Sequence, residues 1–183
     1  MIEAIINGLN YRLDEEKLTA EVIQKKVYEG DIIIPETVVF KKVAYRVTGI
    51  GEETFYACSS LNSIVIPDSV TSIGEYAFKE CSSLTSIVIP DSVTSIGKSA
   101  FKGCSSLTSI VIPDGVTSIG NSAFDGCKSL TTITLPTGVD EIGDGAFVGC
   151  DSIATIFVPA GKVDYYKERL DEDFHDIIVE IEK

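Results

Sequence analysis

Five cysteines stand at Cys58, Cys81, Cys104, Cys127 and Cys150, each 23 residues after the last. Thiols can ligate soft metals, form disulfides or act as nucleophiles, so their pattern is the first chemistry to weigh. Zinc sites bring cysteines together at close CxxC-type spacing or add histidines. Neither feature is present, although a metal-binding column remains the alternative reading. Five is odd, and a uniform spacing belongs to a repeat rather than to a bridge framework. If the cysteines stack on successive units, their Cα atoms lie roughly 4.8 Å apart. That is close enough for a disulfide, but parallel side chains hold the Cβ atoms slightly too far apart. The favoured reading is a column of buried thiols packing as small hydrophobes.

Catalytic groupings find little support. His175 is the single histidine, so any Ser-His-Asp or Cys-His arrangement would have to use it. It sits among Asp171, Glu172, Asp173 and Asp176, with no nucleophile beside it, and reads as a solvated surface residue. That acidic cluster lacks the glycine and the ligand order of an EF-hand loop. The serines are numerous but form no G-x-S-x-G elbow. Gly143, Gly145 and Gly149 suggest a phosphate loop, yet Gly143 and Gly149 continue the columns of Gly97 and Gly103. Asp68, Asp91 and Asp114 line up as a possible Ca²⁺ column that Thr137 ends; exposed turn residues explain them better. The chain is therefore read as non-enzymatic, with no catalytic residue, cofactor or metal.

What positions these residues is the repeat itself. Phe55, Phe78, Phe101, Phe124 and Phe147 keep the 23-residue step, as do Pro67, Pro90, Pro113, Pro136 and Pro159. Full units begin at Leu61, Leu84, Leu107 and Leu130, with partial units before and after. A constant period of this size marks a stacked solenoid, in which each unit buries its apolar face only against its neighbours. In the unit from Leu84, Ile87 and Ile89 alternate along a short strand that Pro90 ends. Val93 and Ile96 turn inward on a second extended stretch. Ala100, Phe101 and Cys104 have the spacing of one helical turn facing the core.

Leu84, Ile87, Ile89, Pro90, Val93, Ile96, Gly97, Ala100, Phe101 and Cys104 resemble, position by position, the repeat of the BspA-like leucine-rich repeat family. The resemblance covers roughly residues 47–159. It implies an α/β repeat: a right-handed leucine-rich-repeat solenoid of parallel strands and short helical turns. Ser92 stands where commoner leucine-rich repeats carry Asn or Cys, so no ladder of buried asparagines is expected. Members of this family are mostly surface or secreted proteins of bacteria and some protists, associated with adhesion. The resemblance thus implies a protein-binding, cell-adhesion role outside the cell or at its surface.

One domain is expected over residues 1–183: an N-terminal cap over 1–46, repeats over 47–158 and a C-terminal cap over 159–183. Leu9, Tyr11 and Leu13, then Leu18, Ala20 and Val22, read as a hairpin. Ile32–Ile33–Ile34–Pro35 imitates the IVIP of a repeat, and a second hairpin is expected around Lys41 and Lys42. Val163, Tyr166 and Leu170 have helical spacing. Ile177, Val179 and Ile181 read as one side of a last strand, whose edge Glu180, Glu182 and Lys183 would guard.

The net charge is −13, and residues 137–183 carry 12 acidic against 4 basic groups. Phosphate backbones need clustered Lys and Arg, so nucleic acid is excluded as a partner. No run of 18 apolar residues exists, and none would span a membrane. Met1 to Gly8 is too short and lacks the basic start of a secretory leader, so a trimmed chain is expected if the protein is exported.

The remaining candidate site is the outward side of the first strand column. It comprises Ser63, Val65, Ser86, Val88, Ser109, Val111, Thr132, Thr134, Thr155 and Phe157. Val65, Val88 and Val111 would form an apolar stripe ending in Thr134 and Phe157. Contiguous exposed apolar surface marks partner sites, although β-branched residues also suit a sheet regardless of exposure. A host matrix or cell-surface protein is the expected partner of a monomeric chain. A structural spacer and a glycan- or cation-binding module are the alternatives.

Overall fold

The computed structural model describes residues 1–24 and 26–181. The chain opens with β1 (Ile2–Ile6), β2 (Leu9–Asp14) and β3 (Thr19–Ile23), which pair as consecutive antiparallel strands. β1 is an addition to the hairpin anticipated from the alternation of Leu9 to Val22. β4 (Gly30–Ile33) follows, then β5 (Thr37–Phe40) and β6 (Val43–Ile50), an antiparallel pair turning at Lys41 and Lys42, both with positive φ. β3 lies parallel to β6, which carries the chain into the repeats.

The repeats contribute β7 (Leu61–Val65), β8 (Ser72–Ile73), β9 (Ser95–Ile96), β10 (Ser109–Val111), β11 (Ser118–Ile119), β12 (Thr132–Thr134), β13 (Glu141–Ile142) and β14 (Thr155–Pro159). Two parallel columns result. β6, β8, β9, β11 and β13 run unbroken, each one repeat from the next. On the other column β4 pairs with β7, and β10, β12 and β14 pair in order. Residues 84–89, the same column in the intervening unit, form no strand, although Ile87 and Ile89 stay buried.

A third side is made of turns, and here the helical expectation fails. Among the described residues no helix lies between residues 47 and 158. Ser99 takes φ 50° and Gly103 φ 75°, both left-handed, so the chain zigzags instead of coiling. This aims alternate N–H groups along the stack: Ser99, Phe101 and Gly103 donate to the carbonyls of Asn121, Ala123 and Asp125 at 2.7–2.9 Å. A helical turn would spend its N–H groups within itself; the zigzag spends them between units. Glu80, Gly103, Gly126 and Gly149 share the second left-handed column. Gly97 answers a different need, since a Cβ there would meet the Glu75 amide nitrogen at 2.6 Å.

Between the three sides lies one continuous core. Phe55, Phe78, Phe101, Phe124 and Phe147 stack with ring centroids 5.1, 5.2, 5.3 and 5.5 Å apart and planes within 9°. Tyr28 tilts over the first ring and Phe174 meets the last edge-on. The thiols form a hydrogen-bonded ladder. Cys81, Cys104, Cys127 and Cys150 donate to the carbonyls of Phe55, Phe78, Phe101 and Phe124 at 3.0–3.2 Å. All five thiols are free and buried. Burial pushes the Cys104 thiol up to about 12 and raises those of Cys58 and Cys81. The place of an asparagine ladder is thus taken by sulfur, at another point of the unit.

The C-terminal segment carries α1 (Val163–Lys167), a 3-10 turn over Glu172–Ile177, and β15 (Ile178–Ile181). Tyr165 and Tyr166 donate their hydroxyls to the Val139 and Pro136 carbonyls at 2.6 Å, satisfying the last unit. β15 pairs parallel with β14 in the register Ile156↔Ile178 and Phe157↔Val179. The expected alternation from Ile177 is broken: Ile177 ends the 3-10 turn, Ile177 and Ile178 both pack against the core, and Val179 is exposed. Glu182 and Lys183, assigned to guard that edge, lie outside the described residues.

Candidate functional site

The outward positions of the first strand column are built by period-2 alternation. Leu61, Ile64 and Ile66 point inward, which leaves Ser63 and Val65 on the surface. The same alternation exposes Ser86, Val88, Ser109 and Val111. Val65, Val88 and Val111 retain 54, 78 and 62 % of their accessible surface, which for β-branched aliphatics is well beyond what core packing leaves. Thr132, Thr134, Thr155 and Phe157 are half-buried.

Register joins these residues into a stripe longer than the sequence alone suggests. Ile33 is paired with Val65 and is 73 % exposed. Val179 is paired with Phe157 and is 45 % exposed. Ile33, Val65, Val88, Val111, Thr134, Phe157 and Val179 therefore succeed one another across the face. Ile33 was within reach, because Ile32–Pro35 already matched the repeat. Val179 was hidden by the phase of the last strand.

A hydroxyl column runs beside the stripe through Ser63, Ser86, Ser109, Thr132 and Thr155, starting from Asp31, which accepts a 2.6 Å hydrogen bond from the Ser63 hydroxyl. Farther along the rung, Thr108 and Thr131 donate their hydroxyls to the carbonyls of Thr85 and Thr108, tying neighbouring units at the border of the face. The face thus offers aliphatic surface and hydroxyls on a rigid frame. Among the described residues it holds no paired acid and base suited to proton transfer.

The other candidates are scattered. His175 lies in the 3-10 turn with Nε2 3.1 Å from the Leu170 carbonyl, half-buried rather than fully solvated. Asp114 accepts hydrogen bonds from the Thr137 amide and hydroxyl, which closes the aspartate column as a turn contact. Clefts of about 370 and 420 Å³ open at the two ends of the stack, the first among Glu3, Arg12, Gln24, Glu52 and Glu53, the second among Val148, Asp151, Asp173 and Phe174.

Comparison with known proteins places this geometry. The family model described as "BspA type Leucine rich repeat region" matches residues 48–169 in six copies. A leucine rich repeat protein of T. pallidum shares 31 % identity at a TM-score of 0.76, over 85 % of this chain and 71 % of its own. A leucine-rich repeat protein of Bacteroides ovatus shares 32 % identity at a TM-score of 0.67, over 85 % of this chain and 49 % of its own. A leucine rich cell surface protein of Faecalibacterium prausnitzii shares 28 % identity at a TM-score of 0.52, over 86 % of this chain and 55 % of its own. The chain thus spans about half the length of the last two. No curated protein matches the sequence.

Proposed function

The chain belongs to the BspA-type leucine-rich repeat family, and from that premise we propose that it is a non-enzymatic protein-interaction module of an adhesin-like protein at the cell surface or outside the cell. The partner in this reading is a host matrix or cell-surface protein, and the contact surface is the sheet face. Residues 1–183 act as one solenoid domain with capped ends, wound right-handed as parallel crossovers almost always are.

The observation that carries the reading is the exposed stripe from Ile33 to Val179. Burying large aliphatic side chains stabilises a fold by about 1.5–3 kcal/mol each. A sequence that leaves such residues outside on successive rungs forgoes that gain, and contiguous apolar surface of this kind marks partner sites. The cell-surface assignment draws support from the related cell surface protein of F. prausnitzii.

Binding of the purified chain to an immobilised panel of matrix proteins tests the reading, with a folded Val88→Lys, Val111→Lys variant alongside. The parent should bind and the variant should not. Equal binding by both would move the contact away from the sheet face, and binding by neither would leave a spacer.

A further inference from the structure

The twelve hydrogen bonds between successive turns all run in one sense, with an N–H of each turn donating to a carbonyl of the next at 2.7–3.0 Å. Each accepting carbonyl belongs to the same peptide group as the next donor. Phe78 donates to Ala100, for example, and the Ala100 carbonyl shares its peptide group with the N–H that Phe101 donates to Ala123. Three continuous columns of peptide groups therefore run along the stack. Aligned peptide dipoles add, which leaves partial positive charge at the donor end. That end is the last turn, where Gly145, Phe147 and Gly149 hold the donor positions. Among the described residues none of these three N–H groups has an acceptor.

The C-terminal segment completes the rest of this end. Phe174 meets Phe147 where a next ring would lie, the Tyr165 and Tyr166 hydroxyls satisfy carbonyls of the last unit, and β15 extends β14. It brings no carbonyl to the donor edge. Beside that edge opens the cleft of about 420 Å³, lined by Val148, Ile177 and the carboxylates of Asp151, Asp171 and Asp173. Among the described residues no Lys or Arg lines it. Arg169 lies on the Gly145 side, where it stacks on Tyr165 and pairs with Glu168.

The chain itself shows four times what fits such an edge: a zigzag segment that presents three carbonyls, at alternate residues, on one side. A single phosphate or carboxylate is too small to reach all three donors, and the aspartates of the cleft repel it. We propose that the edge from Gly145 to Gly149 docks a segment of another protein, which adds to the stack as one further turn. Its alternate carbonyls accept from Gly145, Phe147 and Gly149, and its Lys or Arg side chains reach Asp151, Asp171 and Asp173. Main-chain hydrogen bonds supply affinity and the neighbouring side chains supply selectivity, as where a strand adds to a sheet edge. A second copy is a poor occupant. Its matching carbonyls are those of Glu52, Thr54 and Tyr56, of which Tyr56 already accepts from Gln24 at 3.1 Å, and Glu52 and Glu53 would meet the aspartates. This site is separate from the sheet face and does not depend on it.

The test uses a labelled peptide, Gly-Lys-Ser-Ala-Ala-Lys-Gly. This is the sequence of residues 97–103 with alanine at the place of Phe101, since Phe174 already occupies that ring's position. Bound peptide should slow native-state exchange of the Gly145, Phe147 and Gly149 amides at least tenfold and leave those of Phe101 and Phe124 unchanged. Asp171→Asn, Asp173→Asn should weaken binding about fivefold in anisotropy, and Val88→Lys, Val111→Lys should leave it intact. No binding, or binding without protection of the three amides, would overturn the proposal. Full binding by the aspartate variant would remove the cationic side chains from it. Loss of binding in the valine variant would transfer the peptide to the sheet face. Protection that grows with protein concentration in the absence of peptide, with self-association in sedimentation, would make a second copy the occupant instead.

Discussion

The turn side and the sheet face of this solenoid have the same period and opposite construction. On the turn side each unit that has a successor donates from three backbone N–H groups to it, and the five phenylalanine rings and five thiols are buried. On the sheet face the hydrogen-bonded column is interrupted at residues 84–89, and aliphatic side chains stand in solvent. Stability therefore resides in the turns and the core they close. The sheet face is free to carry sequence chosen for contact.

The sharpest way to break this contrast is Phe101→Ala, which removes the middle ring of the stack. The expected loss is about 3–5 kcal/mol of unfolding free energy in urea titration. A midpoint unchanged within error would show that the stack is not where stability lies.

Alkaline pH should act on the core as a whole. Burial raises the Cys104 thiol from 9.0 to about 12 and the Tyr11 hydroxyl from 10.0 to about 12. Both groups are held neutral in the folded state and ionise more readily in the unfolded one. Their contribution is complete below pH 9.0 and is lost as pH rises through about 12. The Tm should fall over that window, with thiol reagents reaching the cysteines only as unfolding proceeds.

Cys104→Ala removes one donor of the sulfur ladder and leaves the Phe78 carbonyl without it. A loss of about 1–2 kcal/mol is expected by the same titration. Substitution without effect would reduce the ladder to simple packing.

Amide exchange extends the contrast to the ends. Phe124 donates its N–H to Ala146, whereas among the described residues no acceptor stands opposite the N–H of Phe147, which has no following turn. The Phe147 amide should exchange well before those of Phe101 and Phe124 in native-state measurements. The smallest effect belongs to the sheet face: Val88→Ser should change stability by no more than about 0.5 kcal/mol. A large loss there would mean that the stripe is structural and not a contact surface.

The sequence by itself determined the repeat, its boundaries within the unit and which residues are buried. Three columns, of five Phe, five Cys and five Pro at constant spacing, admit no other economical arrangement, because a 23-residue unit has no core of its own. It also placed Val65, Val88 and Val111 on the surface, since alternation along a strand is a local property. Tertiary structure decided the rest. Spacings of one and three residues at Ala100, Phe101 and Cys104 fit a helical turn as well as a left-handed zigzag, and hydrogen bonds to the next unit selected the zigzag. The outward phase of Val179 depended on the register of β15 against β14, which pairs residues more than twenty positions apart.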